Sequence, residues 1–156
     1  MKTQINILAM SMICVATFAL LFSCSKDDGD TTPPVINLIE PEEAAVLKIG
    51  SNIHFAMELS DNDLLSSYLV EIHSNFDGHG HTKSVEDEET EVFYFKKSWD
   101  VSGEKNVNIH HHEIAIPENA TSGNYHLMVY CTDVSGNESS VSRNIVLCND
   151  NEEHEH

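Results

Sequence analysis

The chain has 156 residues, with 8 Lys and Arg against 26 Asp and Glu and a formal net charge of −18. So acidic a surface repels phosphate backbones and anionic headgroups, which argues against nucleic acid as a partner and favours the accumulation of cations. The length suits a single domain with one modest core rather than several.

From the N-terminus, Lys2 is followed by an apolar run, INILAMSMICVATFALLF, from Ile5 to Phe22. A charged start and a greasy middle predict a secretory signal over residues 1–23. A run of about 20 apolar residues could otherwise span a bilayer, but it ends in Leu21, Phe22, Ser23 and Cys24. That ending resembles the lipobox of bacterial lipoproteins, which implies diacylglycerol on the Cys24 sulfur and a membrane anchor at that residue. Lys26 ahead of Asp27 and Asp28 resembles the surface-export signal of Bacteroidota lipoproteins. The resemblance implies an outer-membrane lipoprotein exposed on the cell surface, the alternative being the periplasmic face. Residues 24–34 read as a solvated tether that stiffens at Pro33 and Pro34. Loss of residues 1–23 would leave 133 residues and a net charge of about −19, because Lys2 is the one charged residue removed.

The folded domain is expected over 35–148, with an acidic, histidine-containing tail over 149–156. Short apolar stretches separated by turn residues predict about seven strands: 35–40, 52–60, 67–76, 90–99, 107–116, 124–132 and 139–147. Ile53, Phe55, Met57 and Leu59 alternate with His54, Ala56 and Glu58, and Tyr125, Leu127 and Val129 alternate with His126, Met128 and Tyr130. A period of two gives each strand one buried face, and such strands without a helical period predict an all-β, antiparallel two-sheet sandwich. Trp99, Phe93, Tyr94 and Phe95 read as core rather than as a sugar-stacking platform. Of the four cysteines, Cys131 and Cys148 fall in the domain. A hairpin turning near Ser135 and Gly136 sets Cys131 opposite about residue 140, leaving Cys148 about 27 Å further along, so both thiols are expected to be free.

The stretch IAIPENATSGNYHLMVYCTDVSGN, from Ile114 to Asn137, carries a Gly-x-Tyr strand entry and an Asp-x-x-Gly-Asn hairpin. It resembles the closing strands of immunoglobulin-like and fibronectin-III-like domains, in which the tyrosine packs at a corner. As a whole, 35–148 resembles a family of small Bacteroidota cell-surface lipoproteins with an immunoglobulin-like fold and no established activity. The resemblance implies a fold but names no chemistry.

Chemistry is suggested by the ten histidines, all of which lie beyond residue 50. His79 and His81 form an HxH in a glycine-rich loop, His110, His111 and His112 are consecutive, and His154 and His156 close the tail. If the strands bearing His73 and His126 are antiparallel neighbours, both imidazoles occupy outward phases close to the loop with Asp77, His79 and His81. Three or four imidazoles and a carboxylate meet the ligand needs of zinc, and equally suit copper(II) or nickel. Val107 and Ile109 have the opposite parity to Ile114 and Ile116, so a bulge is expected near His110–His112. It is expected to set His111 and Glu113 on an outer face with His54 as a second cluster. A separate calcium reading uses Asp61 and Asp63 in one loop with Asp133 and Asn137 in the last hairpin; against it, such residues commonly serve turns.

No nucleophile elbow or phosphate-cradling loop occurs, so an enzyme is not expected. The leading expectation is a transition-metal-binding surface lipoprotein that captures or buffers zinc, or delivers it to an outer-membrane importer. The alternatives are a protein- or glycan-binding adhesion module with incidental histidines, and haem capture through axial histidines.

Overall fold

The computed structural model describes residues 29–75 and 90–149. They form eight strands and no helix: β1 (Val35–Glu40), β2 (Ala45–Lys48), β3 (Asn52–Ser60), β4 (Leu65–Ser74), β5 (Phe95–Asp100), β6 (Asn106–Ala115), β7 (Gly123–Asp133) and β8 (Glu138–Cys148). A three-stranded sheet, β1-β3-β6, faces a five-stranded one, β2-β8-β7-β4-β5. The result is an all-β sandwich consistent with an immunoglobulin-like arrangement.

Period-two patterning builds the core. Ile53, Phe55, Met57 and Leu59 of β3 are all at most 1% exposed, as are Tyr125, Leu127, Val129 and Cys131 of β7. Burying each such side chain contributes about 1.5–3 kcal/mol relative to exposure. Tyr125 also fixes the strand entry, since its hydroxyl donates to the Thr121 carbonyl at 2.7 Å and accepts the Phe93 amide at 3.3 Å. The β7–β8 hairpin closes through Asp133, whose Oδ1 accepts the Asn137 amide at 2.8 Å, while Gly136 supplies a positive φ of 89°. That backbone region is open to glycine without a Cβ clash.

Three features differ from the expectation. A short strand, β2, pairs in parallel with β8 over Ala45–Lys48, so the sandwich has eight strands and is not wholly antiparallel. At four residues it is too short to show a period. β5 begins at Phe95 rather than near residue 90. Phe93 is buried outside any strand, while Tyr94 is 59% exposed, so the aromatic run is only partly core. Cys131 and Cys148 are free thiols, and Cys131 lies opposite Ser139 in the hairpin register.

Candidate functional site

β3 and β6 pair antiparallel with a register shift between Ile53 and Phe55, opposite the stretch between His111 and Ile114. The bulge reconciles the two apolar parities of β6, as the sequence pattern required. On the exposed face of this sheet it gathers His54, His110 and His112. His54 Nε2 and His110 Nε2 are 2.7 Å apart, one imidazole donating to the other. His112 stacks on His54 with ring centroids 4.9 Å apart and planes within 7°, and lies edge-on to His110 at 5.5 Å.

His111 and Glu113 do not join that cluster. His111 continues the inward parity of Val107 and Ile109, so its ring enters the seam between the sheets, stacked between Phe55 and Trp99 with both centroids 5.0 Å away. Its Nε2 is 3.3 Å from the Tyr68 hydroxyl. Burial holds His111 below the ordinary imidazole range, against the opposing pull of Glu113. Glu113 turns to β5, where its Oε2 accepts from Lys97 Nζ at 2.6 Å and from Trp99 Nε1 at 3.0 Å. These bonds hold its carboxyl below the usual range.

A second pair of imidazoles lies on the five-stranded sheet. His73 of β4 and His126 of β7 are directly opposed in the register, with ring centroids 5.5 Å apart and planes at 86°. His73 Nδ1 is shielded from solvent and has no hydrogen-bond partner, which leaves a lone pair or proton open to a ligand. Beside them, Asn144 lies opposite His126 and donates to Glu43 Oε1 at 2.6 Å. Of the remaining residues expected at this site, Asp77, His79 and His81 lie outside the described residues, as do His154, His156 and Cys24.

At the end of the sandwich where the N-terminal segment enters, the calcium candidates are rearranged. Asp61 and Asp133 come together, and the third carboxylate beside them belongs to Asp30, with one ligand oxygen of each within 4.8 Å of the others. The Asp63 amide donates to Asp61 Oδ1 at 2.8 Å, and the Asp63 carboxylate is not part of the group. Asn137 donates from its side-chain amide to Asp133 Oδ2 at 2.7 Å and to the Asp30 backbone carbonyl at 3.0 Å, so it orients the Asp133 carboxylate and ties down the Asp30 backbone. In the sequence Asp30 ends a run of acidic residues ahead of Pro33 and Pro34 that reads as solvated tether. Beneath the acids, burial pushes the Cys131 thiol up to about 11, with Asp61 and Asp133 adding to the effect.

The outer face of the five-stranded sheet also carries a shallow, open groove lined by Ser67, Glu71, Lys96, Ser98, Tyr130 and Glu138. Hydroxyl and carboxylate side chains line it together with Leu69, and Glu71 is paired with Lys96 Nζ at 2.9 Å.

Fold and site together define a β-sandwich module with imidazoles clustered on its outer faces and carboxylates gathered at one end. Residues 22–148 match a domain of unknown function, DUF4625, and the chain belongs to that family. No curated protein matches it.

Proposed function

We propose that this protein is an exported, lipid-anchored module that binds a transition metal through imidazoles on its outer faces, zinc ahead of copper or nickel. It would serve to capture or buffer the metal, or to pass it to an outer-membrane importer. The observation that carries this reading is the His54, His110 and His112 cluster. Zinc–nitrogen bonds of about 2.0–2.1 Å at tetrahedral angles separate two ligand nitrogens by about 3.3 Å. His54 Nε2 and His110 Nε2, at 2.7 Å, need to part by only a fraction of an ångström. His112 must turn out of its stack on His54 to supply a third nitrogen, leaving a fourth position for water or a receiving protein. All three rings are exposed, so the turn displaces only solvent and ring contacts.

The His73 and His126 pair supports a second locus, with the shielded Nδ1 of His73 as its ligand atom. Imidazole ligates as the neutral base, so protons compete with the metal and acidification should weaken binding at either locus. Lipidation of Cys24 would concentrate the module at the outer membrane, most usefully on the surface.

The test is isothermal titration of metal-free residues 25–156 with zinc, copper(II) and nickel at pH 7.4. It is repeated on His54→Ala/His110→Ala/His112→Ala, on His73→Ala/His126→Ala and on His79→Ala/His81→Ala. Saturable micromolar or tighter binding that the triple variant loses establishes the outer-face site; loss confined to His73→Ala/His126→Ala moves it to the β4–β7 face, and loss confined to His79→Ala/His81→Ala moves it to the segment between β4 and β5. No saturable binding overturns the proposal. The groove between β5 and β7 favours an adhesion module as the other reading, with a glycan or donor-rich peptide as its ligand.

A further inference from the structure

We infer that Asn52 and His111 are positioning residues for the outer imidazole cluster: they hold the peptide bulged out of β6 and so decide which histidines face solvent. This role presupposes that the cluster binds metal, as proposed above. In the register, Phe55 pairs with His111 and Ile53 with Ile114, so His54 alone on β3 faces two residues of β6, His112 and Glu113. A bulge interrupts the ladder and leaves backbone groups to be satisfied by other means. Side chains serve the peptide that joins His112 to Glu113 at both ends. Its carbonyl accepts from Asn52 Nδ2 at 2.9 Å, and its N–H donates to His111 Nδ1 at 3.4 Å, the longer and weaker bond of the two.

The flanking residues are locked as well. His111 is wedged between Phe55 and Trp99, with ring centroids 5.0 Å from each. Glu113 is drawn to β5 by Lys97 Nζ at 2.6 Å and by Trp99 Nε1 at 3.0 Å. With Nδ1 accepting from the Glu113 amide, the neutral His111 ring carries its proton on Nε2, facing the Tyr68 hydroxyl at 3.3 Å. His111 thus holds the bulge from inside the seam without being a ligand, and Asn52 holds it from the exposed face.

The bulge needs such fixing because three consecutive histidines offer it competing positions. Ile109 and Ile114 both turn inward, which requires one extra residue somewhere between them. Placed at His112 and Glu113, it leaves His110 and His112 outside beside His54. Moved back to His110 and His111, it would turn His112 inward and His111 outward. Either way an imidazole fills the seam, so the rings themselves hardly discriminate, whereas the two caps on the His112–Glu113 peptide do. Asn52 stands two residues before His54 on the same face of β3, at the height of that carbonyl. With the peptide held, His112 stays stacked on His54 at 4.9 Å and edge-on to His110 at 5.5 Å. With it released, His112 leaves the cluster.

The experiment is isothermal titration with zinc at pH 7.4 of residues 25–156 carrying Asn52→Ala, His111→Phe or both, each repeated with His112→Ala added. Binding that survives His54→Ala/His110→Ala/His112→Ala is subtracted, and NOE spectra of the metal-free chains are recorded alongside. Asn52→Ala should weaken zinc binding about 3–10-fold, the range of one lost hydrogen bond, and the two substitutions together about 10–100-fold. With His112→Ala present, Asn52→Ala should change affinity less than about 2-fold, because the ring it positions is gone. A merely structural role would weaken binding equally in both backgrounds. Asn52 is exposed, so Asn52→Ala should keep the fold and move Tm by no more than a few degrees. Without metal, cross-peaks between the His54 and His112 rings should be present in the parent and lost in the double variant. A parent that binds no zinc sinks the metal reading, while loss of those cross-peaks still upholds the positioning role. Affinity kept within about 2-fold in the double variant, an equal loss with and without His112→Ala, or cross-peaks absent from the parent or surviving both substitutions overturns the inference.

Discussion

His111 shows how one side chain among ten histidines can be structural while its sequence neighbours face solvent. Its ring fills the seam between Phe55 and Trp99, and burial disfavours its charged form. Its folded pKa is therefore depressed relative to the unfolded chain. The stabilisation it gives is complete above about pH 6.5 and is lost as pH falls through the unfolded value towards the folded one. Replacing it by Phe should flatten the fall in Tm between pH 7 and pH 5 relative to the parent; an unchanged slope, measured by calorimetry, would mean that the ring is solvated. Tyr125 makes the complementary case, because its hydroxyl ties both the Thr121 carbonyl and the Phe93 amide to β7. Tyr125→Phe keeps the ring but orphans both groups, so chemical denaturation should register a loss of about 1–3 kcal/mol. A loss below about 0.5 kcal/mol would show that water replaces the hydroxyl.

At the scale of elements, β5 and β6 lie in different sheets, and side chains bridge the edge between them. Lys97 and Trp99 of β5 both reach Glu113, Lys97 lies 4.8 Å above the Trp99 ring, and Trp99 stacks on Tyr68 at 4.9 Å. The ion pair is exposed on both sides and is worth at most about 1 kcal/mol, whereas the half-buried indole carries apolar area and ring contacts. Trp99→Ala should therefore cost about 2–4 kcal/mol and Glu113→Gln under 1 kcal/mol by urea unfolding. Similar losses would place the strength of the seam in its charges. The same edge explains what the sequence disclosed. Alternation yields the phases of β3, β4 and β7, and the antiparallel neighbourhood expected of β4 and β7 then brings His73 opposite His126. The parity conflict in β6 yields the bulge, but not where the extra residue sits. Shifting it past His111 exchanges that ring with His112 between the seam and the surface, so the pattern alone leaves the membership of the outer cluster open. Asp30 was illegible for a different reason: its partners lie 31 and 103 residues away, and no local pattern records such a contact.

Charge acts on the whole molecule, with 26 acidic side chains against 8 basic ones. Two opposing terms depend on salt. The exposed ion pairs Lys96–Glu71 and Lys97–Glu113 weaken as ions screen them, by a few tenths of a kcal/mol each. Repulsion among the unmatched acids weakens too, and it sums over many pairs within the Debye length, about 30 Å at 0.01 M salt and 10 Å at 0.1 M. A folded domain of this size brings most of its acids within 30 Å of one another, while the unfolded chain spreads them out, so the repulsive term is the larger. Raising NaCl from about 0.01 M to about 0.3 M in EGTA should then raise Tm by several degrees. The increment should be smaller in Asp30→Asn, from which one charge of the tightest acidic group is missing. A fall in Tm under the same scan would mean that the two surface pairs outweigh the net charge, and that the acids are spaced widely enough for water to screen them without help from any cation.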